Sequence, residues 1–345
     1  RMAELTCTPP PANKPVRISY LFMAGTLVLV GYFRMATPLL VAFFTYLALT
    51  HLHFPKRGGK TLAVGLFLVL VAGLVYALAH FAHQSLRALP EIADKAIPSI
   101  IEWAQEYQIE LPFTDYDSLK EMALDNLGSR MNYLGNFARF AKGATTQFVF
   151  VLVGGVVAIS VFFNSKLELD REKYAVRDNL YSLSCDQIAR RFETLYQSFA
   201  TVIGAQITIS AINTVLTTLF VLAVGLPYAV VVIGVTFLCG LIPVLGNLVS
   251  NTVIVGIGFT VSPQMALGAL LYLVVIHKLE YFLNSKIIGH RIRNPLWLTL
   301  LALVLGERLM GLAGMILAPV VLNYIRMEAS CLAVKHSLDS SPDAS

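Results

Sequence analysis

From Thr194 to His277 the chain runs for 84 residues without a single Asp, Glu, Lys or Arg. A bilayer-crossing helix needs roughly 20 apolar residues, so this stretch alone has room for three or four passes. The whole chain agrees with it. Of its 345 residues 56% are hydrophobic and 14% charged, where a soluble domain carries about a quarter charged residues. Inside lipid the backbone must satisfy its own hydrogen bonds, which leaves helices or closed barrels. The apolar runs here are continuous rather than alternating, so the expected fold is an all-α, polytopic membrane protein.

Apolar runs fall at about 18–33, 35–53, 61–83, 144–163, 202–224, 227–261, 264–283 and 295–325, eight segments in all. Two are too long for one ordinary pass and are broken in the middle. The run 227–261 is interrupted at Pro243 and Gly246, and 295–325 at Gly306, Glu307, Arg308 and Gly311, with Gly314 and Pro319 following. Each reads as two short crossing segments or as one re-entrant hairpin. In both cases the chain returns to its starting side. Basic residues of short loops mark the cytoplasmic face. Lys14 and Arg17, then Lys56, Arg57 and Lys60, then Lys278, Lys286, Arg291 and Arg293 all fall inside if the N-terminus is cytoplasmic. The C-terminus is then cytoplasmic too, and Arg34 is the basic residue that fits poorly.

The linear organisation follows. Residues 1–83 form N-terminal spans, 84–143 an extracytoplasmic helical segment, and 144–163 a further span. Residues 164–198 form a cytoplasmic amphipathic connector, 199–327 the C-terminal membrane region, and 328–345 a flexible cytoplasmic tail. Residues 84–143 carry nine acidic and six basic residues. Leu86, Leu89, Ile92, Ala93, Ala96, Ile100, Trp103 and Tyr107 recur at helical spacing, as do Leu119, Met122, Leu127, Arg130, Met131, Leu134 and Phe137. They suit a small helical cap packed on the membrane helices, or a surface for lipid or oligomer contact. The connector balances six basic against six acidic residues and suits a helix lying near anionic headgroups.

Polar groups inside apolar spans are costly, and so have partners or line water. Gln206, Ser210, Asn213 and Thr217 are spaced 4, 3 and 4 and share one helix face. Such a stripe lines a hydrated path for a polar solute, or it bonds neighbouring helices at around 0.6 kcal/mol per contact. Beyond Pro243, the residues Asn247, Ser250 and Asn251 repeat the pattern. Broken helices in corresponding positions are a pointer to a transporter's binding site. Glu280 is the one acid within 264–283, with His277 and Lys278 beside it. It either couples an ion or pairs with Lys278 or a neighbouring basic residue. Glu307 and Arg308 sit at the tip of the last hairpin and suit snorkelling to the interface.

No His-Glu-x-x-His helix, Walker-type loop or Gly-x-Gly-x-x-Gly turn occurs, so no enzyme, cofactor or nucleic-acid partner is expected. The four cysteines (Cys7, Cys185, Cys239, Cys331) show no paired spacing, which predicts neither a disulfide framework nor a zinc site. His51, His53, His80 and His83 lie near span ends in spaced pairs, as interface residues or as metal or pH-sensing groups. The lead through Pro9, Pro10, Pro11 and Pro15 lacks a cleavable-signal pattern.

Seven short motifs occur in order over about 125 residues: Tyr196-Gln197-Ser198-Phe199, Gly204-Ala205-Gln206, Gly225-Leu226-Pro227-Tyr228, Leu241-Ile242-Pro243-Val244-Leu245-Gly246, Lys286-Ile287-Ile288-Gly289-His290-Arg291, Asn294-Pro295-Leu296, and Gly311-Leu312-Ala313-Gly314-Met315 with Ala318-Pro319. In this order they resemble the autoinducer-2 exporter family of bacterial permeases. The N-terminal half is similar in layout only. Asn284-Ser285 stands where the family often has Pro before its basic residue, and Gly306-Glu307-Arg308 is a more charged tip than usual. The resemblance implies a homo-oligomeric permease of the bacterial inner membrane that exports or exchanges a small solute, either an autoinducer-2-like furanone or, as an antiporter, sodium for protons. The expected solute path is Gln206, Ser210, Asn213, Thr217, Asn247, Ser250 and Asn251, with Glu280 as the coupling group in the antiporter reading. A membrane scaffold without transport is the third alternative.

Overall fold

The computed structural model describes residues 14–55, 58–109, 111, 133–164, 179–242, 245–283 and 295–331. Among them are nine helices and no strand. They are α1 (Lys14–Tyr32), α2 (Ala36–Leu52), α3 (Gly59–Glu106), α4 (Tyr133–Phe163), α5 (Leu180–Val224), α6 (Ala229–Gly240), α7 (Leu245–Phe259), α8 (Pro263–Leu283) and α9 (Leu296–Ser330). Five are long and apolar enough to cross a membrane, and α2, α6 and α7 are shorter apolar helices. The chain is a polytopic helical membrane protein, and large apolar side chains such as Leu62, Val69 and Tyr76 stand exposed along α3 as lipid-facing residues do.

Two compact units interleave in sequence. The first comprises Arg1–Phe43, Phe163–Val202 and Asn294–Ser345, the second Phe44–Phe162 and Ile203–Arg293.

In the second unit the run 227–261 is broken into two helices. Its helices α6 and α7 span about 18 and 22 Å at 1.5 Å per residue, too short for a hydrocarbon core of about 30 Å. They pack against each other as a hairpin. A Cβ placed on Gly246 would lie 1.6 Å from the Cys239 carbonyl oxygen, so only glycine lets the two helices approach this closely. Pro243 lies outside the described residues. Helix α8 returns along α7 after a turn at 260–262, with Gly258 against Ala266.

Helix α3 continues unbroken past residue 83 to Glu106 despite Pro90 and Pro98. Its second half lies on the hairpin. Ala88 and Ile92 pack on a core of Val221, Val232, Ile254, Ile257 and Leu273, Phe81 fills the space over Gly234, and Trp103 meets Phe259 edge-on. Leu86 and Leu89, counted on the packing face by spacing alone, are exposed instead. Lys95 bonds Glu91 one turn away at 2.8 Å and reaches the Tyr228 hydroxyl at 3.5 Å, and the ammonium holds the Glu91 carboxyl below its ordinary range. The series beginning at Leu119 lies outside the described side chains.

In the first unit α9 is no straight rod. Residues eight apart in one helix are about 12 Å apart along its axis, yet a Cβ on Gly314 would lie 2.1 Å from the Gly306 carbonyl oxygen. The chain therefore doubles back, and it does so at Gly311, whose φ of 63° and ψ of −148° suit glycine. Glu307 and Arg308 are exposed beside this turn, and Pro319 lies within the second arm. That arm runs to Ser330 and buries Glu328. Glu328 accepts from the guanidinium of buried Arg191 and from the Tyr20 hydroxyl at 3.2 Å, while Arg191 lies 4.3 Å over the Tyr20 ring. Removing one partner of a buried pair costs about 3–5 kcal/mol. Glu328→Ala is therefore expected to lower the melting temperature in detergent sharply, and an unchanged melting curve would show the pair to be idle. Cys185 and Cys239 are free thiols, whereas Cys331 is disulfide-bonded. This corrects the expectation from spacing, which carries no information about long-range pairing.

Candidate functional site

All seven expected path residues and Glu280 lie in the second unit, on α5, α7 and α8, but the structure divides them into two groups by what they bond.

The first group completes the hairpin. The last four carbonyls of a helix have no partner within it, and at membrane depth such groups need one. At the end of α6 these are the carbonyls of residues 237–240, and each is satisfied. Leu241 N–H donates to Leu238 and Ile242 N–H to Cys239, at 3.3 and 2.8 Å. The other two take donors from α5: Ser210 Oγ donates to Phe237 O at 2.8 Å and Gln206 Nε2 to Gly240 O at 2.6 Å. Gly240 allows this approach, since a Cβ there would lie 2.6 Å from Ser210 Oγ. Ser250 donates to Thr236 Oγ1 at 3.3 Å within the hairpin. Thr217 accepts from the Tyr272 hydroxyl at 3.2 Å, with the Tyr272 ring stacked on Phe220. These four side chains join helices.

The second group gathers on Glu280. Asn247 Nδ2 is 3.1 Å from both carboxylate oxygens, and Asn213 Nδ2 is 3.4 Å from Oε2. His277 Nδ1 lies 3.5 Å from the same oxygen, and its Nε2 is 2.7 Å from Asn251 Nδ2. The result is a continuous chain, Asn251–His277–Glu280–Asn247, with Asn213 as a side branch. Lys278, the pairing partner weighed from sequence, is exposed, and Glu280 bonds the amides of Asn247 and Asn213, with His277 Nδ1 3.5 Å away.

The physical reason for a carboxylate here is local. Asn247 stands in the first turn of α7, where unpaired N–H groups and the helix dipole favour negative charge. Two amide donors add to this, since an ionised carboxylate only accepts. Asn213 Oδ1 is buried and has no hydrogen-bond partner, so an acceptor oxygen is left over beside the carboxylate. Chemically the arrangement offers a titratable group, a histidine and three carboxamides. The link that residue spacing missed is Asn251 to His277. A signal was present: Asn247 and Asn251 are one turn apart on α7, as His277 and Glu280 are on α8, so one pairing of the helices brings both couples together. The basic motif 286–291 lies outside the described residues. Among the described residues no group of three or more His, Cys, Asp or Glu is placed to hold a metal ion.

Short apolar helices turned back on themselves beside a polar cluster within a polytopic fold are a pointer to a membrane transport protein. The chain belongs to the AI-2E family of transporters, whose model matches residues 18–327. It is also similar to YdbI of Bacillus subtilis (strain 168), a protein named for transport, with 29% identity over 123 residues. That match covers 35% of this chain and 35% of YdbI.

Proposed function

We propose that this chain is a secondary permease that exports or exchanges a small polar solute of the autoinducer-2 type across the bacterial cytoplasmic membrane, coupled through Glu280. One observation carries this reading: Asn213, Asn247 and His277, from three helices, converge on a single carboxylate at the broken end of a short helix. Neutral carboxamides suit a polyhydroxylated solute, because each both donates and accepts. Gln206, Ser210, Thr217 and Ser250 hold the walls, while Asn213, Asn247 and Asn251 face the solute. The placement of Lys14, Arg17 and Lys60 supports an N-inside orientation. The apolar face of α3 supports contact with lipid or with a second copy in a homo-oligomer.

A sodium/proton antiporter is the second reading, favoured by the unpartnered Asn213 Oδ1 beside Glu280, an oxygen pair suited to a hard cation. A scaffold without transport leaves the convergence on Glu280 unexplained. Proteoliposomes separate the two transport readings. Efflux of autoinducer-2 down a proton gradient, with no proton release on adding sodium, is the expected result. Sodium-driven proton release without furanone flux would replace the permease reading by the antiporter.

A further inference from the structure

Both nitrogens of His277 are engaged, and by partners of different kinds. Nδ1 faces an oxygen of Glu280, which when ionised can only accept; Nε2 faces the Asn251 amide nitrogen, which can only donate. This arrangement fits a neutral ring with its proton on Nδ1 toward Glu280 and its Nε2 lone pair toward Asn251. A charged ring carries N–H on both sides, so Asn251 would then have to present Oδ1. A carboxamide does this by half a rotation, since it carries one donor and one acceptor end.

We propose that His277 is the proton-carrying partner of Glu280 and that Asn251 positions it, turning its carboxamide as the ring gains and loses charge. The proposal rests on the permease reading and names its coupling ion as the proton. The ring is the more exposed of the pair, its side chain 34% accessible against 16% for Glu280. The step balances. A proton binds at Nε2, Asn251 turns to accept that N–H, and the Nδ1 proton moves to Glu280 Oε2. The ring is again neutral, now with its proton on Nε2, and the carboxyl is neutral. A protonated carboxyl no longer attracts the Asn213 and Asn247 donors as strongly, which frees both amides for a solute.

The surroundings support a two-group relay. Helices α6 and α7 and the membrane part of α5 belong to the charge-free run and bring no carboxylate or basic side chain to the ring. On α8 the charged neighbours are Glu280 and exposed Lys278. Helix α3, which also packs along α8, carries Arg87, Glu91, Asp94, Lys95, Glu102 and Glu106 on the half that meets Tyr228 and Phe259, at the far end of the hairpin. Its His80 is bonded to Gln84.

Two measurements on the full chain test this. In lipid nanodiscs with 15N-labelled histidine, the signal lost in His277→Gln identifies the ring. It is expected to be neutral with its proton on Nδ1 at high pH, and doubly protonated once the pH is lowered. Asn251→Asp places an acceptor at Nε2 and should hold the ring charged to higher pH than in the wild type. A ring whose neutral form is protonated on Nε2, or that never takes a second proton as the pH is lowered, overturns the proposal. In proteoliposomes with internal pyranine, and with autoinducer-2 and sodium both supplied outside, His277→Gln should flatten the pH profile of proton flux and Asn251→Asp should move it to higher pH. If Glu280→Gln abolishes the flux while both other variants keep the wild-type profile, His277 is not the carrier and the Glu280 reading stands. Wild-type flux in Glu280→Gln removes both.

Discussion

Glu280→Gln is expected to abolish gradient-driven accumulation while leaving the protein folded. The amide keeps one oxygen for the Asn247 and Asn213 donors that now meet the carboxylate at 3.1 and 3.4 Å, so the helices α5, α7 and α8 remain joined. What is lost is the exchangeable charge. For one proton per solute, each unit of pH gradient supports about a tenfold accumulation, or about 1.4 kcal/mol, and the variant should fall to a ratio of one. Passive exchange of solute between equal pools should continue. Glu280→Ala should do worse on both counts, because it leaves buried donors without a partner at about 1–3 kcal/mol. The check is accumulation against counterflow in the same vesicles. If Gln at 280 still accumulates solute under a pH gradient, the carboxylate has no coupling role.

The second large effect is expected at Gly246. A methyl group there would lie 1.6 Å from the Cys239 carbonyl oxygen, a backbone atom that already accepts from Ile242 N–H and has no rotamer to escape into. Relief requires α6 and α7 to separate, at the upper end of the about 1–3 kcal/mol typical of overpacking. Asn247 is the next residue, so the same movement carries its amide away from Glu280. Gly246→Ala should therefore lower both the melting temperature in detergent and the flux. Gly256 supplies the control, since it lies on the same helix with open space where its Cβ would be. Gly256→Ala should behave as wild type. Equal behaviour of the two variants would mean that the close approach at Gly246 does not hold the hairpin.

Much of this was legible before any coordinates. The spans followed from where charge is missing, because lipid tolerates neither open backbone nor unpaired charge. A break in 295–325 was readable from its glycines, but its tip was expected at Glu307 and Arg308, whereas the chain reverses at Gly311, where glycine accepts positive φ. The polar stripe on α5 was readable because four positions at 4, 3 and 4 must share a face. What that face meets was not. Gln206 and Ser210 fall in the same stripe as Asn213, yet two of them close the carbonyls of α6 and the third turns to Glu280. Nothing in the spacing separates them, since the difference lies in how far the tip of α6 reaches along α5.

Glu280 shows the same limit most plainly. Its neighbours in sequence made Lys278 a reasonable partner, but position 278 is about 200° around the helix from 280, and the lysine is exposed. The amide partners come from residues 67 and 33 positions away, and only His277 is a sequence neighbour. Arg191 and Glu328, 137 positions apart, were likewise out of reach of any local pattern. By itself the sequence determined that the chain crosses a membrane as helices, where those helices break, and which faces are polar, because each of these depends on local backbone chemistry and hydration. Which polar group meets which was decided by tertiary structure alone, because helices of fixed periodicity can slide and rotate against one another and only close packing at glycines such as 240 and 246 selects one register.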